Sequence, residues 1–346
     1  MPELLMSKYF LITNSLDPLT SINRLFIPRV LRDRFNILNH YSPYKLASVK
    51  DEIGWKAIQS TEPEKEINQI INEQAVKYIN LGKPIYVSWS GGVDSTTVLI
   101  ALLKNGIKKD KLIVICNNNS KKEYPYLYNK LVNENYNVIS SDKVGYYYNN
   151  SKGIILTGWC ADQLFGSNIH LKDLSLYHLP WMDALRKYCN RQNIYINNYD
   201  EIYDVYSDYA KRLGWIINTW CEFTWMFNFC IKWSYVSDAT KLSIINSEAR
   251  NNAYAFFEDY DFQKWSVCNR FTLNDINVNT NDSYYKRPLK QYIYEYTKDS
   301  EYLKHKNKQS SVGLRLADRN IAIHDLSGYH FYPLSQNNLL TKLYLK

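Results

Sequence analysis

A run of six residues, Ser90-Gly91-Gly92-Val93-Asp94-Ser95, carries the clearest chemistry in this sequence. Glycines at 91 and 92 open backbone angles closed to other residues and let a loop press against a ligand. A helix starting there would turn its free N–H groups and the positive end of its dipole toward an anion. Ser90, Ser95 and Thr96 add hydroxyl donors, and Asp94 adds a carboxylate. Phosphate alone would repel that carboxylate, whereas phosphate-bound Mg²⁺ would use it. The plain alternative is a Gly-Gly turn followed by a helix N-cap at Ser95 or Thr96.

The flanking residues predict the elements that such a loop needs. Tyr86-Val87-Ser88-Trp89 is short and β-prone. From Thr96 onward Val98, Leu99, Leu102 and Leu103 fall at helical spacing. A helix is expected from Glu64 to Leu81, with Ile67, Ile70, Ile71, Ala75, Val76 and Ile79 on one face and Gly82 as its stop. Lys111–Cys116 is a β-branched run suited to a parallel strand buried on both faces. A helix near Tyr124–Asn135, a strand at Asn137–Ser140 and another at Gly153–Thr157 follow. Strands alternating with helices predict an α/β fold with a doubly wound parallel sheet, whose ligands sit beyond the carboxyl ends of the strands.

A second small loop, Thr157-Gly158-Trp159-Cys160-Ala161-Asp162, again lies between a strand and a helix start. Asp162 is expected to face Asp94 across neighbouring strands. Two carboxylates flanking one site are costly unless a cation sits between them. Mg²⁺ bridging pyrophosphate oxygens would supply it. Taken alone, Asp162 reads better as a simple helix N-cap.

The pattern S-G-G-x-D-S in its strand–loop–helix setting resembles the PP-loop of the N-type ATP pyrophosphatases. It is not a Walker A loop, because no Gly-Lys-Ser/Thr follows, and G-x-G-x-x-G is absent. With Ala161-Asp162-Gln163-Leu164-Phe165-Gly166 added, the chain is similar to the synthetase domain of asparagine synthetases, β-lactam synthetases and lasso-peptide cyclases. Two weaker likenesses extend the resemblance over residues 64–313. Ala255–Phe262 is similar to the family's P-F-L-D segment. Lys286-Arg287-Pro288-Leu289-Lys290 through Lys308 to Gly313 resembles its closing helix and lysine loop. The resemblance implies an adenine nucleotide α-hydrolase-like fold and ATP and Mg²⁺ as cofactors. It assigns pyrophosphate binding to Ser90, Gly91, Gly92, Asp94 and Ser95, and Mg²⁺ binding to Asp94 and Asp162. Lys308 would match the lysine that stabilises charge as the adenylate forms and breaks down. On charge pattern alone, Lys304–Lys308 is also readable as a solvated run.

The departures narrow the chemistry. Asparagine synthetases carry Glu where this chain has Trp159, and an indole cannot accept a proton. The family's Asp-Glu is Asp162-Gln163 here. Position 2 is Pro rather than the nucleophilic cysteine of a glutaminase domain. The expected reaction is therefore Mg²⁺-ATP-dependent adenylation of a carboxylate or carbonyl oxygen, then attack by an amine, with a product other than asparagine. The partners implied are a small-molecule or peptide substrate with an amine donor, and a separate source of ammonia stays open. A nucleic-acid-modifying enzyme of the same superfamily and a non-catalytic nucleotide-binding protein are the rival readings.

Bulk composition fits these readings. The chain has 346 residues, enough for two lobes, and its 42 Lys and Arg against 34 Asp and Glu leave a net charge of +8. No clustered basic stripe favours nucleic acid. The six cysteines include no C-x-x-C pair, which counts against zinc, iron–sulfur and sulfur-transfer chemistry. No apolar run approaches the roughly 20 residues of a membrane span, and the start lacks a signal-peptide pattern, so a cytoplasmic protein is expected. Three segments are expected: an extension at 1–63, a nucleotide-binding core at 64–172 and a mainly helical lobe at 173–346. In that lobe the Trp220, Phe223, Phe227, Ile231 stripe is read as core.

Overall fold

In the computed structural model the described residues are 10–13, 65–141, 143–166, 174–191, 199–233, 236, 244, 246–270, 286–305, 320–325 and 328–333. In chain order they form β1 (Phe10–Thr13), α1 (Ile67–Ile79), β2 (Ile85–Ser88), α2 (Val93–Lys104), β3 (Leu112–Cys116), α3 (Asn118–Glu123), α4 (Pro125–Asn133) and β4 (Asn137–Ser140). Next come α5 (Val144–Asn149), β5 (Ile154–Thr157), α6 (Ala161–Leu164), α7 (Trp181–Arg191), α8 (Tyr199–Arg212) and α9 (Trp220–Met226). The last are α10 (Ser247–Asn251), β6 (Ala253–Ala255), α11 (Tyr260–Asn269), α12 (Arg287–Thr297), α13 (Ser300–His305), β7 (Asn320–Asp325) and β8 (Gly328–Pro333). Two compact units emerge, each assembled from separate stretches of chain. One comprises residues 58–165 and 236–316, the other residues 1–57, 166–235 and 317–346.

The first unit is an α/β layer structure around a five-stranded, all-parallel sheet in the order β4-β3-β2-β5-β6. Every residue of β3 and β5 is buried, as expected for strands covered on both faces. Ile113, Ile115, Ile155 and Ala253 share one face, where they pack with Tyr148 of α5 and Ala249 of α10. Helix α2 lies against β2 and β5 and is itself flanked by α1 and α12. This explains why nine of its twelve residues are buried, and why its sequence is apolar nearly all round. On α1 the buried face runs through Ile67, Ile70, Ile71, Gln74, Ala75 and Tyr78. Val76, assigned to that face from sequence, is exposed, and Tyr78 takes its place beside Phe256 and Tyr254.

The strand order reverses at β2. From there the chain moves outward through β3 and β4, and returns through β5 and β6 on the other side. The carboxyl ends of β2 and β5 lie side by side, in register from Ile85↔Ile154 to Val87↔Leu156. That is the switch point at which an open α/β sheet leaves a crevice for a ligand.

The second unit holds the helices α7, α8 and α9 and a three-stranded antiparallel sheet ordered β1-β7-β8. Thr219 and Glu222 start α9 with a capping box: the Thr219 hydroxyl accepts from the Glu222 N–H, and the Glu222 carboxylate accepts from the Thr219 N–H. Beyond Met226 the helix widens into a π-helical stretch, Phe227–Lys232. The aromatic stripe expected as core is core: Trp220, Phe223, Phe227 and Ile231 are all buried. Phe223 stacks on Trp181 at 4.5 Å between ring centroids.

Among the described residues no helix is long and apolar enough to cross a membrane. None of the six cysteines forms a disulfide. Burial pushes Cys116 and Cys189 up to about 11 and Cys221 up to about 12, which leaves little thiolate for alkylation at pH 8. Brief iodoacetamide treatment of the folded chain is therefore expected to label Cys268, the only half-buried thiol of the six, ahead of the others. Peptide mass spectrometry checks this, and early labelling of Cys116 at the end of β3 would contradict it.

Candidate functional site

The loop after β2 is closed by its own hydroxyls. Ser90 N–H donates to Ser95 Oγ at 3.0 Å, the two seryl oxygens lie 2.9 Å apart, and Gly92 N–H donates to Ser90 Oγ at 3.3 Å. Helix α2 begins at Val93 with Gly92 as its N-cap, and no side chain caps it. Neither Ser95 nor Thr96 is the N-cap: Asp94 and Ser95 lie in the first turn, where helical N–H groups have no partner within the helix, and Thr96 N–H already donates to the Gly92 carbonyl at 3.0 Å. Gly91 holds φ +80°, and a Cβ there would stand 2.6 Å from the Ser120 carbonyl. The glycine is thus needed both for its backbone angle and for the close approach of α3.

The residues expected to bind do not face the same way. Ser90, Gly92 and Asp94 are partly accessible, whereas Gly91, Ser95 and Thr96 are buried. The Thr96 hydroxyl is turned inward and accepts the indole N–H of the wholly buried Trp89 at 3.0 Å. It braces the loop from behind.

The second loop meets the first directly. Gly158 lies so close to the start of α2 that a Cβ would be 2.6 Å from Ser95 N and 2.7 Å from the Asp94 carbonyl carbon. Cys160 then takes a left-handed backbone, φ +73°, and caps the short helix α6 that carries Asp162. Gln163 is 1% exposed and belongs to the core, while Trp159 is half-buried.

Between the two acids stands a residue to which sequence reasoning gave no role. The Lys286 ammonium is ion-paired with Asp94 and lies 2.6 Å from Asp162 Oδ1. Its side chain is 2% exposed, against 27% for each carboxylate. Burial alone would pull the lysine down. The charges of Asp162 and Asp94, with their hydrogen bonds, outweigh that and hold it above its ordinary 10.5. Lys286 sits at the N-cap of α12 with φ +51°, a conformation that residues other than glycine seldom adopt. Helix α12 is fixed in turn by buried Leu289, Tyr292 and Ile293. The Tyr292 hydroxyl donates to Asn72 at 2.6 Å, and Lys104 lies 4.1 Å above its ring.

Glu123 is a further residue that spacing did not single out. It ends α3, and a Cβ built on Gly92 would lie 3.5 Å from its Oε1. It comes from a different strand–helix connection, so nothing near the glycines in sequence points to it. Lys308 lies outside the described residues.

The carboxylates of Asp94 and Asp162 are hard oxygen donors of the kind Mg²⁺ takes. Among the described residues no group of three or more His, Cys, Asp or Glu could hold a metal by itself. An ion here would therefore complete its shell with water and phosphate oxygens, the usual Mg²⁺ arrangement at a nucleotide. The donors fit the metal, and the ammonium of Lys286 is their present counter-charge. Neither a search against protein-family models nor a search of curated protein sequences returned a match to this chain.

Proposed function

We propose that the protein is a Mg²⁺-ATP-dependent synthetase that activates a carboxylate or carbonyl oxygen as its adenylate and then joins it to an amine. One observation carries the reading. The S-G-G-x-D-S loop and the Asp162 loop converge at the carboxyl ends of adjacent parallel strands, and their two acids meet on one point of charge. The same placement, with the strand order reversing at β2, supports an adenine nucleotide α-hydrolase-like fold.

The geometry supports the following roles. Ser90, Gly92 and the opening N–H groups of α2 would meet a pyrophosphate, and Gly91 and Ser95 hold that loop in shape. Mg²⁺ on Asp94 and Asp162 would offset the charge of the phosphates. Lys286 is the counter-charge that the two acids hold before a metal binds. A substrate oxygen bonds to the α-phosphorus and pyrophosphate leaves. The amine nitrogen then bonds to the activated carbon, AMP leaves and the amine gives up a proton. Trp159 cannot take that proton, and Gln163 lies in the core. A positioned base contributes about 10²–10⁴-fold to such a step, so ammonia and aspartate are not the expected substrates. Lys308 enters this reading through the resemblance alone.

A screen for substrate-dependent ATP–pyrophosphate exchange across carboxylic acids, peptides and nucleic acids tests the proposal. AMP and pyrophosphate are the expected products, and ADP with phosphate would overturn it. In the same assay aspartate, Mg²⁺-ATP and high ammonium should yield no asparagine at catalytic rates. Asparagine would mean that another group supplies the base. Exchange that appears only with RNA or DNA, and falls with salt, would move the function to a nucleic-acid-modifying enzyme.

A further inference from the structure

The ammonium of Lys286 occupies the position between Asp94 and Asp162 that the sequence reserves for a cation, and it does so with almost no exposure to water. Its backbone is held in the left-handed region to put it there. Neutrality does not require both cations at once. Two carboxylates with one ammonium carry a net charge of −1, with a divalent ion alone they are neutral, and with both they carry +1. Like charges brought together in a partly buried site repel. Carboxylate oxygens bonded to an ammonium are also less able to enter a metal's coordination shell.

We propose that Lys286 and a divalent cation are alternative occupants of the Asp94–Asp162 pair, so that a metal enters this site only as Lys286 leaves it. Lys286 is thereby a gate on metal loading: in the absence of nucleotide it keeps the acid pair satisfied and metal-free. The inference rests on reading the acid pair as the metal position of the proposed function, and it does not depend on any turnover.

The test uses Mn²⁺ with the full chain and no nucleotide, read by titration calorimetry, by the electron paramagnetic resonance of bound Mn²⁺ and by thermal melting. The parent chain should bind Mn²⁺ weakly. Lys286→Met should bind it about 10–100-fold more tightly, a change of the size seen when groups around a metal site are altered. Its melting temperature should rise with added Mn²⁺. Lys286→Arg, which keeps a cation between the acids, should behave like the parent. Lys286→Met/Asp162→Asn should lose the gain.

Should Lys286→Met melt without cooperativity, from two acids left facing each other, Mn²⁺ should restore a cooperative transition. Failure to restore it would overturn the inference. Equal Mn²⁺ affinity in the parent and Lys286→Met would also overturn it, as would a gain that survives Asp162→Asn. ATP–pyrophosphate exchange separates this inference from the proposed function. Tight Mn²⁺ binding by Lys286→Met in a chain that never supports exchange keeps the gate and removes the synthetase. Exchange in the parent with no gain in Lys286→Met does the reverse.

Discussion

Replacing Asp94 and Asp162 together by Asn is expected to cost the folded chain about 3–5 kcal/mol, the range found when a buried ion pair loses its partner charge. Lys286 is 2% exposed, so water does little to relieve its ammonium once both carboxylates are gone. Either single variant should cost much less, since one carboxylate stays in contact. Adding Lys286→Met to the double variant removes the stranded charge and should recover most of the loss. Between pH 7 and 10 the contribution of Lys286 should change from flat to rising with pH. In the parent, the folded-state value of Lys286 is raised above 10.5, so its contribution is complete below that pH and is lost as pH climbs through the raised value. In the double variant the two acids that raise it are gone, and burial pulls the lysine down. The unfolded chain then binds the extra proton, and stability rises with pH toward 10.5. Urea unfolding between pH 7 and 10, without nucleotide or metal, checks both parts. A double variant within about 1 kcal/mol of the parent would mean that Lys286 does not depend on the two acids.

The geometry of the first loop was legible because it is local. Two glycines, two serines and an aspartate between a β-prone run and a helical one define strand, turn and helix start without any distant partner. The exposed edge strand β4 matched Asn137–Ser140, since polar residues at its ends mark where burial stops. Three features were hidden because they depend on contacts far along the chain. The residues of β6 number only three, too few to show a period, and they become a strand only by pairing with β5. Lys286 lies 192 residues from Asp94 and begins a helix, where a basic residue suggests nothing about a buried ion pair. The inward turn of Thr96 follows from the buried indole of Trp89, and a sequence of donors cannot show which of them face the ligand. Both β6 and Lys286 come from the stretch expected as a mainly helical lobe completing the site, and they lie in the unit that contains the parallel sheet.

Substituting Ala for Gly158 should uncouple the two loops without removing any group proposed to meet a ligand. The added Cβ would lie 2.6 Å from Ser95 N and 2.7 Å from the Asp94 carbonyl carbon. Both are backbone atoms anchored in the first turn of α2, so no flexible side chain can swing aside. The strain must be relieved by moving the Asp162 loop away from the helix start. Forcing a methyl group into a packed site of this kind costs about 1–3 kcal/mol, visible as a lower midpoint in urea. A larger local effect is expected at Lys286. Parting the loops draws one carboxylate away from its ammonium, and the lysine becomes open to amine-reactive reagents. Modification of Lys286 should be about tenfold faster or more, the equivalent of about 1.4 kcal/mol of local opening. Rates at an already exposed amine such as Lys77, whose side chain is 60% exposed, should be unchanged. Mg²⁺-ATP binding, if the proposed function holds, should weaken in parallel, because the metal would then be shared by acids that no longer converge. A Gly158→Ala chain that matches the parent in stability and shields Lys286 equally well would show that the two loops are not held together by this contact.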